Sequence, residues 1–119
     1  EIPGIGLGLC DDRGFLKIWK TESDRAFIEI PLAPLTVPVG AVFFEGKVYV
    51  ACFGSWPAPS NDSGLAIVDV DSFVVSTFPL VGDSDDVLSH VHNVYVFQWG
   101  GRPEIFIADL GNPWNSPPV

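Results

Sequence analysis

The sequence contains no methionine, only two cysteines and only six basic residues among 119. No apolar run comes near the roughly 18 residues that a membrane-spanning helix needs, and the first residues lack the basic start of a signal peptide. Fifteen acidic residues give a net charge of −9, which disfavours binding to nucleic acids and to anionic membranes. The missing initiator methionine predicts a processed or trimmed chain.

Several motifs of enzymes and metal sites are missing as well. The sequence has no Gly-rich phosphate loop, no Gly-x-Ser-x-Gly elbow and no Cys-x-x-Cys pair, so nothing supports nucleotide hydrolysis, serine-esterase chemistry or a zinc finger. Asp83, Asp85 and Asp86 lack the ligand spacing of a known calcium loop, and we interpret them, like Asp11-Asp12, as a solvated acidic turn. The sequence predicts neither a metal nor a cofactor.

Strand signals dominate the chain. Hydrophobic residues make up 47% of it, enough for the core of one domain. Short runs rich in β-branched and aromatic residues are separated by glycine, proline and polar turns, and helix signals are nearly missing. The predicted strand pairs are 15–19 with 25–30, 37–44 with 47–52, 65–70 with 73–78, and 92–97 with 104–109. This pattern predicts an all-β fold.

One segment recurs three times, and its copies align Cys10, Cys52 and Asp109 at spacings of 42 and 57 residues. A period of roughly 40 to 50 residues is the size of one four-stranded propeller blade. We therefore predict a single partial β-propeller made of four-stranded antiparallel blades. A partial blade spans 1–32, a complete blade spans 33–80 and a second partial blade spans 81–119.

The predicted ring is incomplete. Nine strands, including one at the first copy of the repeat, cannot close a ring of four to eight blades. An unclosed propeller leaves bare strand edges that invite pairing with other chains. We expect other protein chains to complete it, as a homo-oligomer or as the rest of a nicked polypeptide, and we expect the isolated chain not to be a stable monomer.

The stretch 89–111 contains His90-x-His92 at the start of a strand and Asp109-Leu-Gly111 at the end of the next. It resembles a blade of the seven-bladed lactonase-type propellers, which include 6-phosphogluconolactonase-like and carboxymuconate-lactonising proteins. Residues 40–54 resemble the preceding blade, so the likeness covers a fragment of about two blades.

The resemblance implies a lactonase or lactone-forming cyclase activity. It places His92 at the mouth of the central channel as a general acid or base, together with Asp109 as the second catalytic group. Imidazole suits this role because it exchanges protons near neutral pH. The arginines and glutamates that bind substrate in the family are not recognisable in this sequence, and the resemblance implies that they lie on other blades.

Three further residues are candidates for binding. His90 and His92 alternate on a strand and so point the same way, which suits a shared ligand or a metal, although the sequence shows no third metal ligand. An imidazole bonded to a neighbouring blade's backbone explains them too. Trp56 and Trp114 stand in equivalent loops after corresponding strands, either as a carbohydrate-binding face or as caps between blades. The alternatives to the enzyme are therefore a glycan- or small-molecule-binding module and a structural subunit of a ring or fibre.

The compartment is indicated by Asn61, which opens an Asn-x-Ser glycosylation acceptor in a predicted exposed loop. Together with the acidic composition it favours an extracellular protein. Cys10 and Cys52 occupy equivalent places in consecutive repeats, where neighbouring blades hold strands farther apart than the roughly 7 Å Cα separation that a disulfide tolerates. A bridge between them is therefore disfavoured.

Overall fold

A computed structural model describes residues 7–11, 14–19, 28–54, 62–80 and 91–109. Within these ranges the chain is all-β. The strands are β1 (Leu7–Asp11), β2 (Phe15–Trp19), β3 (Ile28–Pro31), β4 (Pro38–Phe44), β5 (Lys47–Cys52), β6 (Gly64–Asp69), β7 (Val75–Pro79), β8 (Val91–Trp99) and β9 (Arg102–Asp109).

The strands form three antiparallel sheets, which we call the first sheet (β1–β3), the middle sheet (β4–β7) and the last sheet (β8–β9). Within each sheet the strands are neighbours in the order of the sequence. The all-β prediction and the predicted strand pairs are confirmed. No stretch that the structure describes forms a helix able to span a membrane.

Two tight hairpins have the turn residues that their backbone requires. Glu45 and Gly46 have φ values of 47° and 80°, and Gly100 and Gly101 have values of 61° and 85°. Two successive left-handed residues make the turn whose twist matches that of the flanking strands. The two-residue connections fix the register of β4 with β5 and of β8 with β9.

The connection between β6 and β7 is longer than the sequence pattern predicts, because β7 begins at Val75 and not at residue 73. The Asp69 carboxylate accepts the backbone N–H groups of Asp71 and Ser72 at 2.9 and 3.0 Å. Its backbone carbonyl accepts the N–H of Phe73, whose φ is 59°. This local Asx turn delays the return strand by two residues.

The first hairpin of the middle sheet and the hairpin of the last sheet share one irregularity. Pro38 pairs with Cys52 and Gly40 with Ala51, which leaves Val39 as the extra residue of a β-bulge. Val91 pairs with Asp109 and Asn93 with Ala108, which leaves His92 in the same place. From the bulge to the turn, each residue pair of the β4–β5 hairpin therefore has an equivalent pair in the β8–β9 hairpin. Val39 is equivalent to His92.

The sheets stack face to face. In the first and middle sheets, the front face is the face that lies toward the following sheet, and the rear face is the opposite one. In the last sheet, the rear face is the face that packs on the middle sheet, and the front face is the other. The front face of the first sheet meets the rear face of the middle sheet in one buried cluster. Alternate residues of neighbouring strands supply it, as a pleated strand requires. Its fully buried members include Leu16, Ile18, Val48, Val50, Cys52, Ala66 and Val68.

The front face of the middle sheet packs on the rear face of the last sheet in a second cluster. Tyr49, Ala51 and Leu65 come from the middle sheet, and Val91 and Val94 come from β8. Strand β5 is therefore buried on both faces, which explains why its whole length after Lys47 is apolar. The described residues place a four-stranded sheet between two neighbours.

Candidate functional site at one end of β4 and β8

β4 and β8 lie side by side and run in the same direction. At their starts, a Cβ on Gly40 would lie 3.0 Å from Oδ1 of Asn93, the equivalent residue of β8. At their far ends, the Gln98 side-chain amide donates to Oε1 of Glu45 at 2.9 Å. The two bulges therefore sit at the same end of the stack, next to the ends of β5 and β9.

His92 is exposed at this end. As the extra residue of the bulge it faces no partner in β9, and a bulge of this kind turns a side chain away from the regular alternation of the strand. Its ring meets the Phe53 ring edge to face, with centroids 6.5 Å apart and planes at 74°. The imidazole thus has an aromatic neighbour on one side and solvent on the other.

Val39 shows that this exposure belongs to the position in the fold. It occupies the equivalent bulge of the middle sheet, and 45% of it is exposed. The bulge positions of β4 and β8 therefore form one accessible row, and His92 is its polar member.

Asp109 is the last residue of β9 and pairs with Val91, the residue before His92. The two predicted catalytic residues thus occupy adjoining register positions at the same strand ends. The backbone register therefore brings the two positions together at one end of the stack.

Ser63 fixes the distance between the middle and last sheets beneath His92. Its hydroxyl is 1% exposed, donates to the Cys52 carbonyl at 3.2 Å and accepts the Val91 N–H at 3.0 Å. Its own carbonyl accepts the N–H of Leu80 at 3.0 Å. One buried side chain therefore joins the end of β5 to the start of β8.

Phe53 is held against His92 by its backbone. Its N–H donates to the Val37 carbonyl at 2.8 Å, and the N–H of Gly54 donates to the Thr36 carbonyl at 3.1 Å. Val37 has a φ of 52°, a left-handed conformation that costs a β-branched residue about 1–2 kcal/mol. The surrounding hydrogen bonds hold this strained backbone beside the candidate site.

Gly54 is required where it stands. Its φ is +82°, and a Cβ would lie 2.8 Å from both Asp62 Oδ1 and the Ser63 nitrogen. The close approach lets Asp62 bind Thr36 twice, by accepting its hydroxyl on Oδ2 at 2.8 Å and its N–H on the backbone carbonyl at 3.0 Å. These contacts close the loop ends that flank Phe53.

The remaining predicted site residues lie outside the described ranges. His90, Trp56, Trp114 and the glycosylation acceptor Asn61 are all in this group. Ser63, the third residue of the acceptor triplet, is described and is buried. In the ranges that the structure does describe, no three His, Cys, Asp or Glu side chains come close enough together to hold a metal ion.

The sequence reasoning missed Phe53 and Ser63. Phe53 precedes a glycine in the repeated segment, where a large apolar residue recurs as Leu110, so the repeat itself marked the position. Ser63 had no such signal, because its role depends on a contact with Val91, 28 residues away.

Comparisons with known proteins add no relatives. No protein-family model matches the chain, no curated protein does so, and no solved structure does so. The candidate site therefore rests on its own residues and geometry.

Proposed function

We propose that the chain is part of a secreted β-propeller with a lactonase or lactone-forming cyclase site, in which His92 is a general acid–base group and Asp109 its partner. The observation that carries the proposal is the bulge of β8. It exposes His92 at the end of the stack, one register position from the strand-end Asp109.

The stacked sheets support the propeller part of the proposal. Each four-stranded blade of a propeller packs between two others, with its first strand nearest the axis. The middle sheet is buried on both faces, and the first strands of the middle and last sheets, β4 and β8, lie side by side. On this basis the accessible row that contains Val39 and His92 lines the axial opening, and further sheets complete the ring.

The chemistry follows from the two groups. To open a lactone, a base takes a proton from water while the water oxygen bonds to the carbonyl carbon. The bond from that carbon to the ring oxygen then breaks, and an acid returns a proton to the ring oxygen. A positioned imidazole can do both in turn, and in the proposed site Asp109 is a second group that can exchange a proton. Cyclisation is the reverse sequence.

Substitution of His92 tests the proposal in the complete assembly. His92→Ala is expected to lower lactone turnover by about a hundred- to ten-thousandfold, the usual contribution of a positioned acid–base group. The far-ultraviolet circular dichroism should not change, because the side chain is exposed. Val39→Ala is the matched control: it truncates the equivalent bulge residue and should leave turnover unchanged.

Two results would contradict the hypothesis that the assembly is an enzyme. One is an assembly without hydrolase or cyclase activity before any substitution, and the other is equal loss in the His92 and Val39 variants. A binding module that uses the Trp56 and Trp114 loops is then the next hypothesis, to be tested by titration with glycans.

A further inference from the structure

The front face of the last sheet is aromatic and open. It carries Tyr95, Phe97, Trp99 and Phe106, which we call the aromatic face. These side chains are 56%, 40%, 69% and 50% exposed, respectively. Phe97 and Phe106 stack with centroids 4.8 Å apart and planes within 7°, and Trp99 meets Phe97 edge to face at 6.4 Å. Contiguous exposed apolar side chains of this size mark an interaction surface.

The shared register of the two hairpins shows what kind of surface this is. The pair Tyr95 and Phe106 corresponds to the pair Val42 and Tyr49 of the middle sheet, counted from the bulge. Val42 and Tyr49 belong to the cluster covered by the last sheet. The aromatic face of the last sheet is therefore equivalent to the front face of the middle sheet, which is buried under the rear face of the last sheet.

Phe97 extends the same correspondence. It matches Phe44, which also packs in the buried cluster of the middle sheet, and its backbone partner Glu104 matches Lys47. The aromatic face thus repeats an existing interface with an aromatic ring at all three positions compared, whereas the middle sheet has Val42 at one of them. Its natural occupant is the rear face of a sheet of the same kind.

The first sheet carries a rear face. Leu16 and Ile30 of that sheet are buried against the middle sheet, so the alternate residues Phe15, Lys17, Glu29 and Pro31 lie on the opposite side. Glu29 and Pro31 are exposed there. This is the one rear face within the described ranges that no described sheet covers.

Charge does not oppose contact between the two faces. Lys17 lies 3.9 Å from Glu29 on the rear face, and Arg102 bonds Glu104 at 3.0 Å beside the aromatic face. Among the residues that the structure describes, each face therefore has one opposite-charge pair, although the whole chain has a net charge of −9. Contact between these faces in two copies would thus bring together charged groups that are already in opposite-charge pairs at the described positions.

We propose that the aromatic face binds a second copy of this chain through the rear face of its first sheet, so that the front-to-rear stacking continues from one copy to the next. The inference rests on the sheet-stacking part of the proposed function and not on its acid–base chemistry. Such a head-to-tail contact uses two different surfaces, and it forms a closed ring when the rotation from copy to copy closes.

Sedimentation of the purified full chain over a range of concentrations tests the contact. The wild type is expected to associate, and Phe97→Asp or Tyr95→Asp is expected to abolish association by placing a charge in the aromatic face. Pro31→Glu should abolish it from the other side. Val74→Asp is the matched control, because Val74 is 62% exposed in the β6–β7 connection and lies on neither face.

Mixing the variants separates this arrangement from others. Phe97→Asp retains an intact rear face and Pro31→Glu retains an intact aromatic face, so an equimolar mixture should form a heterodimer that neither forms alone. Self-association of Pro31→Glu would show that the aromatic face pairs with itself. A wild type that stays monomeric, or a Val74→Asp variant that fails equally, would also overturn the proposal. None of these readouts depends on lactone turnover.

Discussion

Removing the Ser63 hydroxyl should destabilise the contact between the middle and last sheets. The hydroxyl is 1% exposed and accepts the Val91 N–H at 3.0 Å while donating to the Cys52 carbonyl at 3.2 Å. In Ser63→Ala the buried N–H loses this acceptor, and an unsatisfied buried donor costs about 1–3 kcal/mol. We expect the free energy of unfolding to fall by about 2 kcal/mol, which is roughly a thirtyfold change in the folded-to-unfolded ratio.

Urea denaturation followed by circular dichroism measures this change, at one fixed protein concentration because association adds to apparent stability. Ser76→Ala is the control. Ser76 is exposed on β7, so its loss should change the free energy by less than about 0.5 kcal/mol.

Amide hydrogen exchange gives a second, local readout of the same substitution. The Val91 N–H should exchange faster in Ser63→Ala, since it is the group that loses an acceptor. Unchanged exchange at Val91, or equal destabilisation by Ser63→Ala and Ser76→Ala, would refute the reasoning.

Three further predictions concern stability and modification. Gly64→Ala should lower the free energy of unfolding, measured by urea denaturation, by about 3 kcal/mol, because a Cβ there would overlap the Phe78 carbonyl of the paired strand. Gly46→Ala should lower it by only about 1 kcal/mol, because the new Cβ would meet open space and the only strain is at its φ of +80°. The pKa of Asp69 is lowered from 3.8, chiefly by the backbone N–H of Ser72 and then that of Asp71. Its ionised form therefore stabilises the fold above about pH 4, and this contribution is lost as pH falls through the lowered pKa. Equal changes in the unfolding midpoints of Asp69→Asn and the wild type between pH 7 and pH 2 would contradict this. If the protein is secreted and glycosylated, treatment with an Asn-glycan-removing enzyme should shift the mass of the wild type and not of Asn61→Gln.

The secondary structure could be predicted from local patterns. Runs of β-formers and the turn signals Glu45-Gly46 and Gly100-Gly101 were sufficient to place the strand pairs. The β6–β7 connection was misjudged, because the Asx turn of Asp69 is a side-chain effect that hydrophobic alternation does not reveal.

Register was harder to predict than strand position. The repeat aligns Cys10 with Cys52. Leu16, the backbone partner of Cys10, lies on the front face of the first sheet, whereas Cys52 lies on the rear face of the middle sheet. The alignment is therefore offset by one register position at the first copy. A shift of one residue reverses every face of a strand, and nothing in a sequence alignment detects it.

The bulge at His92 could not be predicted from alternation either, yet both proposals depend on it. An extra residue removes its own side chain from the regular alternation and restores the pattern beyond it. His92 is thereby left at the strand end, while Val94 returns to the buried rear face and Tyr95 to the open front face. The candidate catalytic residue and the aromatic face consequently belong to separate surfaces of one hairpin.

This separation makes the two proposals independently testable in one protein. His92→Ala should leave association unchanged, because the imidazole lies on neither stacking face. Phe97→Asp should lower turnover only in proportion to the fraction of chains that no longer assemble. If one front-to-rear contact is enough to form the site, adding Pro31→Glu should restore activity as the heterodimer forms. Turnover that follows assembly in this way would place the site in the stacked state. Full turnover by dissociated Phe97→Asp would show instead that a single chain is sufficient for catalysis.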